Sequence, residues 1–180
     1  MSSKEGRTVP LSIGVRRLRS GEWGQYRDVR LRALRSDPLA FGSTFAREQR
    51  FEEREWRERA ARGASGDSGA KFVGVTGAGD FVGLIAVAES RGEWHVFEMW
   101  LEPAWRGRGI GARLLDDALA WFRTTAPRRD LILEVNPRQS AAERLYRSRG
   151  FRPTGQSGPL GHTEGETVIT MVLAADLPRT

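Results

Sequence analysis

Met99-Trp100-Leu101-Glu102-Pro103-Ala104-Trp105-Arg106-Gly107-Arg108-Gly109-Ile110-Gly111-Ala112-Arg113-Leu114-Leu115 is the stretch on which the reading of this 180-residue chain turns. An apolar strand ends near Leu101 and a proline stops it at Pro103. A turn rich in glycine and arginine follows, and then an amphipathic helix begins. Gly107, Gly109 and Gly111 alternate. Without Cβ atoms, the backbone there turns tightly and lets a bulky ligand come close. The first amides of a helix lack intrahelical partners and carry the positive end of the helix dipole. Arg106, Arg108 and Arg113 add fixed positive charge. These features predict a cradle for a phosphate or pyrophosphate; the alternative for the same residues is a glycine-rich helix cap with no ligand.

Two common phosphate sites are excluded. A P-loop needs Lys and Ser/Thr after its last glycine, and here Ala112 and Arg113 follow Gly111. The dinucleotide fingerprint needs G-x-G-x-x-G after a first strand; the spacing here is G-x-G-x-G after a later strand. What remains is R-x-x-G-x-G, Arg106 to Gly111. It resembles the acyl-CoA pyrophosphate motif of the GNAT N-acetyltransferase superfamily, Q/R-x-x-G-x-G/A.

The rest of the chain reads in an order that suits the resemblance. Met1 to Ser12 is polar and expected to be flexible. Residues 13–175 are expected to form a single domain. Ile13 to Leu18 predicts a strand. Trp23 to Ser36 predicts a helix, with Tyr26, Val29, Arg30, Ala33 and Leu34 at three- and four-residue spacings. Asp37-Pro38 ends it, and Leu39 to Phe45 predicts a loop folded over something. Glu48 to Arg62 predicts a second helix, and Gly63 to Gly69 a surface loop. Strands follow at Lys71 to Thr76, Phe81 to Glu89 and Trp94 to Leu101. The helix after the glycine turn runs to about Phe122, with Ile110, Leu114, Leu115, Ala118, Leu119 and Phe122 as its apolar stripe. Leu131 to Val135 predicts a fifth strand. Ser140 predicts the cap of a helix through Ser148, with Glu143 in a capping box. Gly150 ends it, and strands start at Phe151 and Thr167.

A second block carries the resemblance further. Leu133 to Phe151 is similar to the family's V-x-x-x-N-x-x-A-x-x-L-Y-x-x-x-G-F, with Val135, Ala142, Leu145, Tyr146, Gly150 and Phe151 in register. Gln139 stands where the family usually has Asn. The resemblance implies an α/β (α+β) class and the GNAT fold. That is a mixed, mostly antiparallel sheet of about seven strands flanked by about four helices, with strands four and five parallel and splayed. It implies acetyl-CoA as acyl donor. The pantetheine arm would lie against Met99, Trp100 and Leu101, bonded by backbone of Met99 and Leu101. The pyrophosphate would lie on Arg106, Gly107, Arg108, Gly109, Ile110, Gly111 and Ala112. Gln139, or Asn136 just past the strand end, would meet the pantetheine. Tyr146 would protonate the thiolate leaving group, a task that suits a phenol.

Other roles are read from the residues. Glu98 sits between Phe97 and Met99 in an otherwise apolar strand. Desolvation there would raise its pKa and fit it as the base for the amine; the alternatives are a sheet-edge position or an arginine pairing, with water as the base. His95, three residues earlier, would point to the opposite face. Phe41, Phe45 and Glu48 stand where the family's first helices cover the acceptor. The implied reaction is acetyl transfer to a primary amine of a small molecule or peptide, by direct attack in a ternary complex. The alternative is a non-catalytic acyl-CoA-binding module. No cysteine is present, which removes disulfides, thiolate metal sites and a cysteine nucleophile. The two histidines do not suggest a metal site.

Net charge is +6 and the pI about 10.8. Nucleic acid is one reading of such a balance. Here, however, the basic residues are almost all arginines interleaved with acids, as in Arg47 to Arg62. A solvated surface is the simpler account, and no nucleic-acid partner is expected. No secretory h-region and no apolar run of membrane-spanning length appears, so a cytoplasmic protein without membrane partners is expected. Homodimers are frequent in the family.

Overall fold

The computed structural model describes residues 13–175, so the expected flexible segment 1–12 lies outside the described residues. The strands are β1 (Gly14–Arg17), β2 (Gly69–Val75), β3 (Phe81–Ser90), β4 (Glu93–Leu101), β5 (Leu131–Val135), β6 (Arg152–Pro159) and β7 (Thr167–Leu173). They form a seven-stranded sheet in the order β1-β2-β3-β4-β5-β7-β6. Every neighbouring pair is antiparallel except β4 and β5, which run parallel. The helices are α1 (Trp23–Ser36), α2 (Phe45–Glu48), α3 (Glu53–Ser65), α4 (Ile110–Thr125) and α5 (Ser140–Ser148).

Two cores lie on opposite faces of this sheet. On one, the α4 stripe from Ile110 to Phe122 is buried against Val82, Ile85, Trp94, Val96 and Leu133, with Tyr146 and Phe151 beside it. On the other, Tyr26, Val29, Ala33 and Leu34 of α1 meet Trp56 and Ala60 of α3 over Val73, Leu84 and Trp100. The helical spacings therefore predict the buried faces of α1 and α4 correctly. β3 is buried over most of its length because it lies between both layers.

The structure departs from expectation in three places. The helix predicted from Glu48 is split: α2 is a single turn capped by Thr44, whose Oγ1 accepts from the Arg47 amide at 3.2 Å. Its last residue, Glu48, is fully buried, and the chain must turn again before α3 starts at Glu53. At α5, Gln139 is the cap position and Ser140 the first helical residue. Glu143 accepts from Arg147 one turn on at 2.8 Å instead of closing a capping box.

The third departure shapes the site. Pairing between β3 and β4 slips by one residue between Leu84/Trp100 and Ala86/Phe97. Glu98 is the extra residue, at φ 59°, a left-handed backbone that only a well-supported non-glycine residue holds. The bulge switches the faces. Before it Trp94 and Val96 join the α4 core; after it Met99 and Leu101 do, and Trp100 joins the α1 core. His95 and Glu98 thus line the same cavity, contrary to the alternation expected of a regular strand. Below the bulge β4 pairs with β5 only at Trp94↔Leu131 and His95↔Ile132, and the strands then part. Among the described residues no helix is long and apolar enough to cross a membrane.

Leu114 is fully buried where α4 meets the sheet. Leu114→Ala is expected to lower stability by about 2–5 kcal/mol through lost burial and an unfilled cavity, read as a lower midpoint in urea denaturation.

Candidate active site

Beyond His95, one edge of β4 has no strand beside it. The Glu102 amide donates to the Val82 carbonyl at 2.8 Å, and Trp100 pairs with Leu84. Alternate residues of a strand direct their peptide groups to opposite neighbours, so Met99 and Leu101 direct theirs into the gap that β5 has left. The Leu101 carbonyl accepts from Arg106 Nε at 2.8 Å. The Met99 peptide groups and the Leu101 amide remain for a ligand. Trp100, expected among the pantetheine contacts, instead turns its peptide to β3 and donates from its indole to Asp37 at 2.7 Å.

The gap runs up to the N-terminus of α4. Gly109 occupies the cap position at φ 77°, and no side chain caps the helix. A Cβ at Gly107 or Gly109 would meet nothing within 4 Å, so the floor before the helix is open. At Gly111 a Cβ would lie 3.5 Å from Met99 and 3.8 Å from Leu145; glycine there lets the helix end close to β4 and α5. An open floor, uncapped first-turn amides and a free strand edge fit a pyrophosphate followed by an amide-bearing arm. The Arg106 side chain, expected on the phosphate, is committed elsewhere: its Nη2 donates to Asp37 at 2.7 Å while Nε holds Leu101. Arg108 is exposed and stacks over Trp105 at 5.3 Å.

Across the gap, β5 and α5 bring Asn136, Gln139 and Tyr146 to the cavity wall. The Asn136 carboxamide bonds on both sides. It donates to Glu166 at 2.9 Å and accepts from the Arg138 amide at 2.9 Å. Asn136 therefore helps to pin the turn before α5, while both it and Gln139 line the cavity. Tyr146 is buried, edge-to-face with Phe151 at 5.9 Å. Burial pushes its phenol pKa up, so the hydroxyl keeps its proton through the neutral range.

On the α1 side the cavity, about 970 Å³ in all, has a charged floor. Glu98 accepts from Lys71 Nζ at 2.6 Å and from the Tyr26 hydroxyl at 3.0 Å. Burial pushes the Glu98 pKa up, but Lys71, Arg30 and Arg59 outweigh it and hold it down at about 2. The raised value expected from an apolar strand is thus wrong in sign, because the neighbours that matter come from α1, α3 and β2. Lys71 is pushed down by burial, with Glu98 opposing. Glu48, expected near the acceptor, lines the cavity as a buried ion-pair partner of Arg30 at 2.7 Å and Arg59 at 3.0 Å. Phe41 lines it too, beneath the Arg30 guanidinium at 4.6 Å. Phe45 does not line it; it packs under Arg35 at 4.2 Å.

Sequence reasoning did not single out Lys71, Tyr26, Arg30, Arg59 or Asp37. One signal was available: Lys71 is one of only two lysines among 29 basic residues, and it falls in a strand.

Residues 31–174 match the family model described as "Acetyltransferase (GNAT) domain", and the chain belongs to that family. It is similar to N-alpha-acetyltransferase RimI of Mycobacterium tuberculosis, 33% identical over 104 residues, which cover 56% of this chain and 63% of the relative. The chain thus spans less than two thirds of that relative's length. Among solved structures it is similar to an acetyltransferase of the GNAT family from Streptococcus pneumoniae, with TM-score 0.75 and 19% identity, covering 90% of this chain and 99% of that one. It is also similar to the ribosomal-protein-S5-alanine acetyltransferase of Vibrio fischeri, with TM-score 0.74 and 16% identity, covering 93% and 96%. At these identities the two structures speak for the fold.

A carboxylate whose pKa is lowered on folding stabilises above its unfolded value and loses that contribution as pH falls through the folded one. The stability difference between the wild type and Glu98→Gln is therefore expected to be constant above about pH 5. It should shrink as pH falls toward 2, the value held in the folded chain. Urea midpoints across this range measure it. A difference that grows on acidification would contradict the ion pairing at Glu98.

Proposed function

We propose that the chain is an N-acetyltransferase that moves the acetyl group of acetyl-CoA to a primary amine by direct attack in a ternary complex. The observation that carries this reading is the shared cavity. The free edge of β4, the Tyr146 phenol and the Glu98 carboxylate all border it, on opposite sides of the parted strands. The RimI relative is named for acetylation at an α-amine, which supports a primary amine on a peptide or a small molecule.

Bound acetyl-CoA supplies a thioester carbonyl carbon that takes the amine nitrogen as its C–S bond breaks. The amides of Gly107 to Ala112 hold the pyrophosphate, and peptide groups of Met99 and Leu101 hold the arm, with Gln139 beside it. A β4 amide aimed at the thioester oxygen steadies the charge that develops there. Glu98 receives the incoming ammonium and orients it. With a pKa near 2 it is too weak a base to keep the proton, so that proton leaves to water through the open cavity. Tyr146, protonated at neutral pH, donates to the departing sulfur. Phe41 and the buried Glu48–Arg30 pair shape the acceptor side.

Two results test this. Acetyl-CoA is expected to raise the melting temperature of the wild type by mass action, and Gly109→Trp, which fills the open floor, is expected to abolish the rise. Tyr146→Phe is expected to keep the rise while lowering kcat for thiol release with an amine by about a hundredfold or more. An unchanged kcat would remove Tyr146 from the chemistry.

A further inference from the structure

The floor of the acceptor side carries more positive than negative charge. Arg30, Arg59 and Lys71 stand there against Glu48 and Glu98. Nearer the mouth, Arg62, Arg91, Glu89, Glu93 and Glu134 are exposed, and water and salt screen them. The floor lacks that screening: Arg30 is 4% exposed and Glu48 0%. A buried charge without a counter-charge is unfavourable.

Arg30 shows where the compensation is missing. Its Nε and Nη2 both donate to Glu48, at 3.0 and 2.7 Å, while its buried Nη1 has no partner. Buried donors are almost always satisfied, by protein, water or ligand. The guanidinium is held from two sides, by the bidentate Glu48 and by the Phe41 ring, so its charge is fixed in the cavity wall. Arg59 gives one Nη1 to Glu48 at 3.0 Å and stays partly exposed at 22%. A planar carboxylate suits such donors.

The loops over this side are tied together. His162 Nε2 donates to the Phe41 carbonyl at 2.6 Å and its Nδ1 is hydrogen-bonded with the Thr163 hydroxyl at 2.9 Å, which ties the loop after α1 to the β6–β7 loop. Leu160 and Gly161 of the latter line the cavity.

We infer that the acceptor is an amino-acid-type small molecule: its carboxylate is received by Arg59, with the fixed charge of Arg30 behind it, while its amine lies at Glu98. This rests on the N-acetyl transfer reading and narrows its substrate. The same chemistry could come from a peptide whose first residue is acidic, and the test separates the two.

The experiment compares free-thiol release by the full chain at saturating acetyl-CoA for matched pairs of amino acids and their primary amides. Peptides beginning with Asp or Glu and simple alkylamines complete the series. An amide has the less basic amine, which by itself favours the amide at neutral pH. The acids are nevertheless expected to exceed their amides in kcat/KM by about tenfold or more, because a site built for a polar group rejects the analogue lacking it. Arg59→Lys keeps a charge beside Glu48 but removes the planar donor fork, and is expected to bring the ratio toward one. Arg59→Met serves if that variant does not fold, and the wild-type ratio stands without either. Amides or alkylamines turned over as well as acids would overturn the inference and leave N-acetyl transfer standing. Acidic peptides preferred over free amino acids would overturn the small-molecule assignment. No release with any amine, although acetyl-CoA still raises the melting temperature, would overturn the N-acetyl reading and this inference with it.

Discussion

One extra residue in β4 is the constraint from which the rest of the site follows. Glu98 sits at positive φ where the β3 ladder slips. Past it, Met99 and Leu101 face the α4 layer and Glu98 itself faces the α1 layer. The same strand can therefore offer a peptide edge to one ligand and a carboxylate to another. A regular strand would send every second side chain to one face and would have no reason to leave β5. The bulge is held from both sides: by the Lys71 and Tyr26 hydrogen bonds to its side chain, and by resumed pairing at Leu84↔Trp100.

The electrostatics around that residue run against what burial alone does. Desolvation pushes a carboxylate toward neutrality, and at Glu98 it is the largest single influence. Three cations from three separate elements together outweigh it. The outcome is an acid ionised at neutral pH in a cavity wall, better suited to holding a cation than to taking and keeping its proton. Tyr146, across the gap, has no such company. Burial acts on it unopposed and keeps its proton in place. The two groups thus sit at opposite ends of the proton scale.

The elements that were legible in the sequence are those whose signals are local. The α4 stripe, the glycine turn before it, the boundaries of α1 and β5, and the Tyr146 block all follow from periodicity or from residues adjacent in the chain. The parallel β4–β5 pair followed from the crossover through α4. What was not legible depends on long-range neighbours. The surroundings of Glu98 come from Tyr26, Arg30, Arg59 and Lys71, 27 to 72 positions away in the cases hydrogen-bonded to it. The partners of Arg106 and Asn136 are likewise remote, at separations of 69 and 30. Arg106 was assigned to the ligand from its motif position, and Asn136 from its place just past the strand end. The predicted helix is interrupted after Glu48, whose buried carboxylate pairs with Arg30 of α1, again a remote partner.

Asp37 ties the end of α1 to β4 and the glycine turn through a single carboxylate oxygen. Oδ2 accepts from Ser36 at 2.8 Å, from the Trp100 indole at 2.7 Å and from Arg106 at 2.7 Å. Burial pushes its pKa up, but these donors prevail and keep it low. The residue closes α1, immediately before the segment that carries Phe41, and Arg106 opens the glycine turn. The two loops are therefore not interchangeable modules. A chimera that imports another acceptor loop inherits this donor turn intact only if an acidic residue returns at position 37, so diversification of one loop is tethered to the chemistry of the other.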